Sequence, residues 1–366
     1  YHGDASACLF YNEELISAVE EERFTRIKHS GGFPLRAINY CLDESKIKIT
    51  DIDHVAINRN PKSRFLSKLI YLLKNKIRIK NISNRAKNLK KITSIKKDFE
   101  NFFKSKINAK IHFIDHHLSH AAGAVLFSKF KDCNYVTVDG FGDFVSTTSG
   151  IYKNGKFFNL DEVLYPHSLG LFYTAITQYL GFQKYGDEYK IMGLAPYGKP
   201  IFVEEMKNIV NIEDNKLFKL NLEYFIHHTE GVEMTWLDTN INIGKVYSNK
   251  LIELFGPERR DKEVISQKHK DIAASAQETY QNIFLNIIKQ LYKKNNSKYL
   301  CISGGCGMNS VANGKILENS DYKKIYVQSN PGDGGGSIGA AAYLIKKIKK
   351  NVEFNNDTPF LGPSFS

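Results

Sequence analysis

The stretch IDHHLSHAAGAVLFS, residues 114–128, places His116, His117 and His120 ahead of an Ala/Gly/Leu run whose apolar residues recur at helical spacing. On a helix over 116–128, His116 and His120 lie one turn apart on one face, where two imidazoles can reach one cation. His117 points about a third of a turn away. Taken alone, the pair reads equally as capping or core histidines. Two carboxylates add to the metal reading. Asp139 ends the apolar strand YVTVD and is followed by Gly140, which puts it at a sheet edge facing a cleft. Asp333 sits in NPGDGGGSIG, a loop at another strand end, where a lone Asp can also be a turn former. Two imidazoles and two carboxylates with coordination positions left open suit Fe²⁺, Mn²⁺ or Zn²⁺ more than Ca²⁺. Such an ion would polarise substrate or phosphate oxygens.

Glycine loops and lysines surround these residues in the sequence. In CISGGCGMNSVANG, Gly304, Gly305 and Gly307 let the backbone approach a ligand, and a helix starting near Met308 would offer N–H groups to a phosphate or an adenosine. The spacing is neither a Walker loop nor the dinucleotide fingerprint, and a close helix–strand crossing is the alternative. EEERFTRIKHSGGFP (20–34) places Lys28 and His29 near the expected cleft, and YGDEYKIMGLAPYG (185–198) places Lys190 between acids. Lysines so placed meet phosphate or form solvated faces.

The elements that must position these groups repeat. GDASACLFYNEELISAVE (3–20) and VDGFGDFVSTTSGIYKNGKFFNLDEV (138–163) each read as small and acidic residues followed by a hairpin, with Asn154-Gly155 supplying the second turn. Each precedes a helical pattern, at 34–45 and 168–181. A true duplication predicts two similar α/β lobes, each aiming an acidic, Gly-bearing turn at a nucleotide's phosphates. Further on, a long amphipathic helix (269–294), a buried strand (299–303), a glycine turn entering a helix (304–318), a strand (324–327) and a glycine loop entering a small-residue helix (330–347) predict a parallel or mixed sheet. Residues 202–265 carry no interpretable motif, and 356–366 show no period.

At 366 residues the chain makes two lobes. No apolar run approaches the roughly eighteen residues of a membrane span. Five scattered cysteines without a CxxC pair predict reduced thiols in a cytoplasmic protein. The chain opens on Tyr1 rather than Met, so its true start is expected upstream, with room for a removed targeting segment. The net charge of +12 is concentrated: residues 62–110 hold sixteen Lys/Arg against Asp98 and Glu100, leaving the remainder near neutral. That distribution argues against a nucleic-acid protein. It reads as a solvated basic face, or as a surface for an anionic polymer, an acidic partner or a membrane. Leu66, Leu69, Ile70, Leu72 and Leu73 predict an amphipathic helix within it.

HGDASACL, AVEEERFTRIKH, HHLSHAAGA, VDGFGD, SLGLFY, GDEYKIMGLAPYG, SGGCGMNSVANGKI and NPGDGGGSIGAAA stand in this order from residue 2 to about 343. Together they resemble the O-carbamoyltransferase family that decorates nodulation factors, cephamycins and aminoglycosides. The resemblance covers that family's N-terminal domain and implies an actin/Hsp70-like (ribonuclease H-like) two-lobed ATPase fold, with mixed sheets flanked by helices. It implies a first lobe over 1–130 with a basic insertion at 62–110, and a second over 131–348 bearing the metal and nucleotide loops. Residues 349–366 would link to a YrdC-like domain that makes carbamoyl-adenylate from carbamoyl phosphate and ATP; without it, a fragment unable to consume carbamoyl phosphate is expected.

The resemblance also implies roles. A metal, usually iron, would be held by His116, His120, Asp139 and Asp333. The nucleotide would be held by Asp139, Gly140, Gly142, Asp143, Lys190, Gly304, Gly305 and Asn309. Lys28 would lie near the carbamoyl group, and His2 would deprotonate the acceptor hydroxyl, although HGDAS departs from the HDAS of some members. The implied reaction is attack of a small-molecule hydroxyl on carbamoyl-adenylate, with AMP expelled; relatives of this kind are often dimers. A tRNA threonylcarbamoyl transferase shares the histidine pair and the fold, and the basic segment could grip tRNA. EEERFTRIKH and GDEYKIMGLAPYG belong instead to the small-molecule enzymes. A nucleotide-dependent binding module of the Hsp70 type would have no use for the two histidines.

Overall fold

The computed structural model describes residues 3–74, 94–213, 217–231, 234–237, 240–355 and 358–364. The first part opens with an antiparallel hairpin, β1 (Ser6–Tyr11) and β2 (Glu14–Glu20), covered by α1 (Leu35–Ser45). Next come β3 (His54–Ile57), α2 (Phe65–Lys74), α3 (Ile95–Phe103), β4 (Lys110–Phe113), which pairs in parallel with β3, and α4 (His116–Val125). The second part carries β5 (Cys133–Gly142), β6 (Val145–Lys153), β7 (Lys156–Leu164), α5 (Leu169–Tyr179), α6 (Glu188–Leu194), the long α7 (Gln267–Lys294), β8 (Tyr299–Ser303), β9 (Lys324–Val327) and α8 (Gly336–Ile348).

Its sheet runs β9-β8-β5-β6-β7, with β8 parallel to both β9 and β5 and the other pairs antiparallel. This is the mixed sheet expected from the strand–helix alternation. The duplication is visible in the order of parts. A hairpin (β1–β2 or β6–β7), a helix (α1 or α5), two strands that pair in parallel (β3–β4 or β8–β9) and a closing helix (α4 or α8) occur twice. Both hairpins turn on two residues with positive φ, Asn12 (47°) and Glu13 (73°), then Asn154 (52°) and Gly155 (74°), the backbone a two-residue turn needs to match strand twist. A five-stranded mixed sheet flanked by helices, in this doubled order, is what the actin/Hsp70-like class implied by the resemblance calls for.

The closing helices carry the packing between the two parts. α4 lies on β5 and β8, while α8 lies on α4, β3 and β1. Their contact is close: a Cβ on Gly339 of α8 would stand 1.9 Å from the carbonyl oxygen of Ser119 in α4. Strand period then sorts β5. Val136 and Val138 join α5, α7 and β8 in the main core, whereas Cys133 and Tyr135 pack under α4 with Ala121, Ala124 and Val125. The unassigned stretch 202–265 supplies Met206, Phe218, Leu220, Phe225, Tyr247 and Phe255 to the main core. Not all of the basic segment is surface either, since Phe99 of α3 is buried with Ile107 and Ala109 and meets Phe33 edge-on. Among the described residues every cysteine is a free thiol, and no helix is long and apolar enough to cross a membrane.

Candidate metal centre and its surroundings

α4 begins at a side-chain cap, a feature the sequence reading did not single out. Asp115 accepts from the N–H of Leu118, and the run that follows is Ala-rich. The odd residues of β5 face this helix, so Asp139 follows Cys133, Tyr135 and Thr137 onto the α4 side. Its carboxylate there meets both expected imidazoles. His116 Nε2 lies 2.9 Å from Asp139 Oδ2 and 3.3 Å from Asp333 Oδ1, and His120 Nε2 lies 3.4 Å from each of the same two oxygens. The two Nε2 atoms are 3.1 Å apart, and all four donor atoms lie within 4.8 Å of one another. Ligands about 2.1 Å from one centre stand roughly 3.0 Å apart in octahedral and roughly 3.4 Å apart in tetrahedral geometry. The donor set fits one transition-metal ion on both spacing and chemistry.

The surroundings orient the donors. Asp139 Oδ1 accepts from the N–H groups of Gly140 (2.8 Å) and Gly305 (3.2 Å), which leaves Oδ2 for the cluster. His116 Nδ1 faces the carbonyl of Asn58 at 3.3 Å, a second contact that turns Nε2 inward. Burial alone would depress both imidazoles, but the Asp333 and Asp139 carboxylates raise His116 and lift His120 to about 9. Burial likewise opposes ionisation of Asp139, yet its hydrogen bonds to His116 and His120 hold its carboxyl well below the usual range. A cation would displace protons from a site already built to hold positive charge.

His117 stands apart. Its Nε2 donates to the carbonyl of Val145 (3.0 Å), its Nδ1 pairs with the Thr137 hydroxyl (2.7 Å), and burial pushes it down to about 3, so it is a neutral core tie.

The nucleotide expectations divide. Gly142 serves the imidazole: a Cβ there would lie 1.8 Å from the His116 ring, whereas a Cβ on Gly140 would meet nothing within 4 Å. Asp143 Oδ2 accepts from the N–H groups of Asn60 (2.7 Å) and His116 (2.9 Å), so it pins the start of α4. The helix expected from Met308 is a 3₁₀ turn over Gly305–Met308 followed by a short helix over Ser310–Gly314. Asn309 caps that helix through Ala312 N–H, and its amide exchanges two hydrogen bonds with Gln277. The N–H of Gly304 goes to Pro331. Lys190 pairs with Asp187 at 2.7 Å. Lys28 is exposed, its ammonium 4.3 Å from the centre of the Tyr189 ring, which Lys190 also approaches at 6.0 Å. His2 lies outside the described residues.

Sequence reading passed over two groups. Asp4 and Glu22 hold the residue after Lys28: Asp4 Oδ1 bonds His29 Nδ1 at 2.7 Å, and Glu22 accepts from the His29 N–H at 2.7 Å. Tyr185 meets the His29 ring edge-on at 5.3 Å. Burial and the charges of Asp333, Asp4 and Asp139 hold its hydroxyl well above the ordinary range, so it remains a donor. Asp4, Glu22 and Tyr185 lie in HGDAS, EEERFTRIKH and YGDEYK, and only the fold shows that those motifs meet.

Residues 1–342 match the family described as carbamoyltransferase N-terminus. An uncharacterised protein of Synechocystis sp. is 33% identical over 391 aligned residues, covering 100% of this chain and 60% of the relative. Nodulation protein NolNO of Sinorhizobium fredii is 30% identical over 351 residues, 95% of this chain and 47% of that protein. The chain therefore spans about half to three-fifths of the length of these relatives. Among solved structures, component A of the (R)-2-hydroxyglutaryl-CoA dehydratase of Acidaminococcus fermentans aligns over 94% of this chain and 97% of its own, at 12% identity and a TM-score of 0.46. With a match whose bounds reach from the first hairpin into α8, the chain belongs to the carbamoyltransferase N-terminus family.

Proposed function

We infer that this chain is the transfer half of an O-carbamoyltransferase. It would move a carbamoyl group from carbamoyl-adenylate to a hydroxyl of a small-molecule acceptor, a sugar or a secondary metabolite. His116, His120, Asp139 and Asp333 would hold a divalent metal, with Fe²⁺ the family's usual choice. Their convergence, with five donor separations between 2.9 and 3.4 Å, is the observation that carries the reading. When bound, a divalent ion supplies Lewis-acid polarisation of an oxygen.

The protein's own groups do the rest. Asp139, fixed by Gly140 and Gly305, keeps a full negative charge in the cluster. Lys28, on the loop held by Asp4 and Glu22, offers an ammonium to charge growing on the carbamoyl and phosphate oxygens. Tyr185 offers a hydroxyl that stays protonated. The acceptor oxygen bonds to the carbamoyl carbon, the bond from that carbon to the adenylate oxygen breaks, and AMP leaves with the electron pair. The acceptor proton goes to a base, for which His2 is the expected residue. The donor would come from a YrdC-like domain beyond this chain.

The test uses the full-length protein, presynthesised carbamoyl-adenylate and a panel of hydroxyl acceptors. Wild type should carry one metal per chain and transfer. His116→Ala should lose both metal and transfer, while Lys28→Ala should keep its metal and slow transfer about 10²–10³-fold. Full-rate transfer by His116→Ala refutes the metal's role.

A further inference from the structure

The amphipathic helix of the basic segment presents its apolar side outward. Arg64, just before α2, donates to Glu162, and its guanidinium also lies 3.6 Å from Asp115, the cap of α4. Lys68 reaches back to the carbonyl of Pro61. One turn on, Tyr71 stacks edge-on against Phe144 (5.8 Å) and Tyr165 (5.1 Å). Positions 64, 68 and 71 share one helix face, and that face is anchored on the body. Leu66, Leu69, Ile70 and Leu73 share the opposite one, at the i, i+3, i+4, i+7 spacing of a buried stripe. They are nonetheless 71, 42, 52 and 79% exposed, with Phe65 at 66% beside them. Among the described residues, nothing covers them.

Charge decides what would. Residues 62–97, which include the helix, contain thirteen Lys or Arg and no Asp or Glu. A nucleic acid would meet the cations but has no use for a row of aliphatic side chains. A second copy of this chain would bring an equally cationic segment, with no acidic residue in it to offset the charge. An outward aliphatic stripe within a purely cationic segment matches an interface-lying helix, whose apolar face enters the acyl boundary while Lys and Arg meet lipid phosphates. We propose that α2 docks this protein on the surface of an anionic phospholipid bilayer, through Phe65, Leu66, Leu69, Ile70 and Leu73. Because the anchored face grips Asp115 and packs beside the turn that carries Asp143, docking fixes the side of the molecule that the bilayer meets. The inference stands independently of the carbamoyl chemistry.

The experiment is vesicle cosedimentation of the full chain. Phosphatidylcholine vesicles are compared with phosphatidylcholine–phosphatidylglycerol vesicles at low and raised salt. Wild type should sediment with the anionic vesicles only, and less so at raised salt. The combined variant Leu66→Ser, Leu69→Ser, Leu73→Ser alters exposed positions alone. It should keep the wild-type melting temperature and metal content while its bound fraction falls about tenfold. Three results overturn the proposal: no sedimentation with either vesicle, equal sedimentation of the triple variant, or wild-type self-association in the absence of lipid that the triple variant abolishes.

Discussion

Gly142→Ala adds one methyl group and removes none of the four donors, yet it should empty the proposed metal centre. The new Cβ would lie 1.8 Å from Cδ2 and 2.1 Å from Cγ of His116, where carbon–carbon contact needs about 3.5 Å. The ring would have to retreat by roughly 1.7 Å, against a tolerance of about 0.2 Å in a metal–ligand bond. Retreat of the whole helix is blocked from behind, because Gly339 of α8 already touches the backbone of Ser119. Gly142 is not among the glycines with positive φ, so alanine brings no backbone strain, and overpacking should cost about 1–3 kcal/mol of stability. Metal affinity should fall at least about a hundredfold, the upper range for disturbing the groups that orient a ligand. Gly140→Ala is the matched control, since its Cβ meets nothing within 4 Å and it too lacks a positive φ. The assay is metal content by plasma mass spectrometry, with competition against a chromophoric chelator for affinity. Wild-type affinity in Gly142→Ala, or equal loss in Gly140→Ala, would refute the steric account.

Two further outcomes separate the roles of the histidines. His117→Ala leaves the Val145 carbonyl and the Thr137 hydroxyl without their partner inside the core, so urea denaturation should show a loss of about 2–4 kcal/mol with metal content intact; loss of metal instead would make His117 a ligand. In metal-free protein, His120 is lifted to about 9 by carboxylates that outweigh burial, above its unfolded value near 6.5. A raised pKa stabilises fully below the unfolded value and less as pH climbs through the folded one, so the metal-free melting temperature should fall between pH 6.5 and 9, by a contribution of up to about 3 kcal/mol. His120→Gln should flatten that slope, and an unchanged slope would contradict the assignment.

The legible parts of the molecule were those with a local signature. The strand turns at Asn12 and at Asn154-Gly155 and the long period of α7 are written in neighbouring residues, and the elements stand where those residues place them. The four cluster residues were legible one pair at a time: two from helical spacing, two from carboxylates at strand ends. What no local rule supplied was the pairing of α4 with β5 on one side and with α8 on the other, which brings Asp333 to His120 across more than two hundred residues. Residues 202–265 were opaque for a related reason. Their large apolar side chains serve a core whose other walls, α5, α7 and β8, lie far away in sequence.

Asp143 and Asn309 show how a loop full of ligand-like residues can be occupied with its own construction. A strand that must deliver Asp139 to a buried helix terminates beside that helix's open N–H groups. Asp143, just past the end of that strand, then satisfies one of them at His116. The same demand explains Gly305, whose N–H steadies Asp139, and Gly142, whose missing side chain leaves room for the imidazole. Glycine and acid in VDGFGD and SGGCG thus answer first to the geometry of four clustered donor atoms, and any nucleotide must be met by groups those duties leave open, such as the ammonium of Lys28.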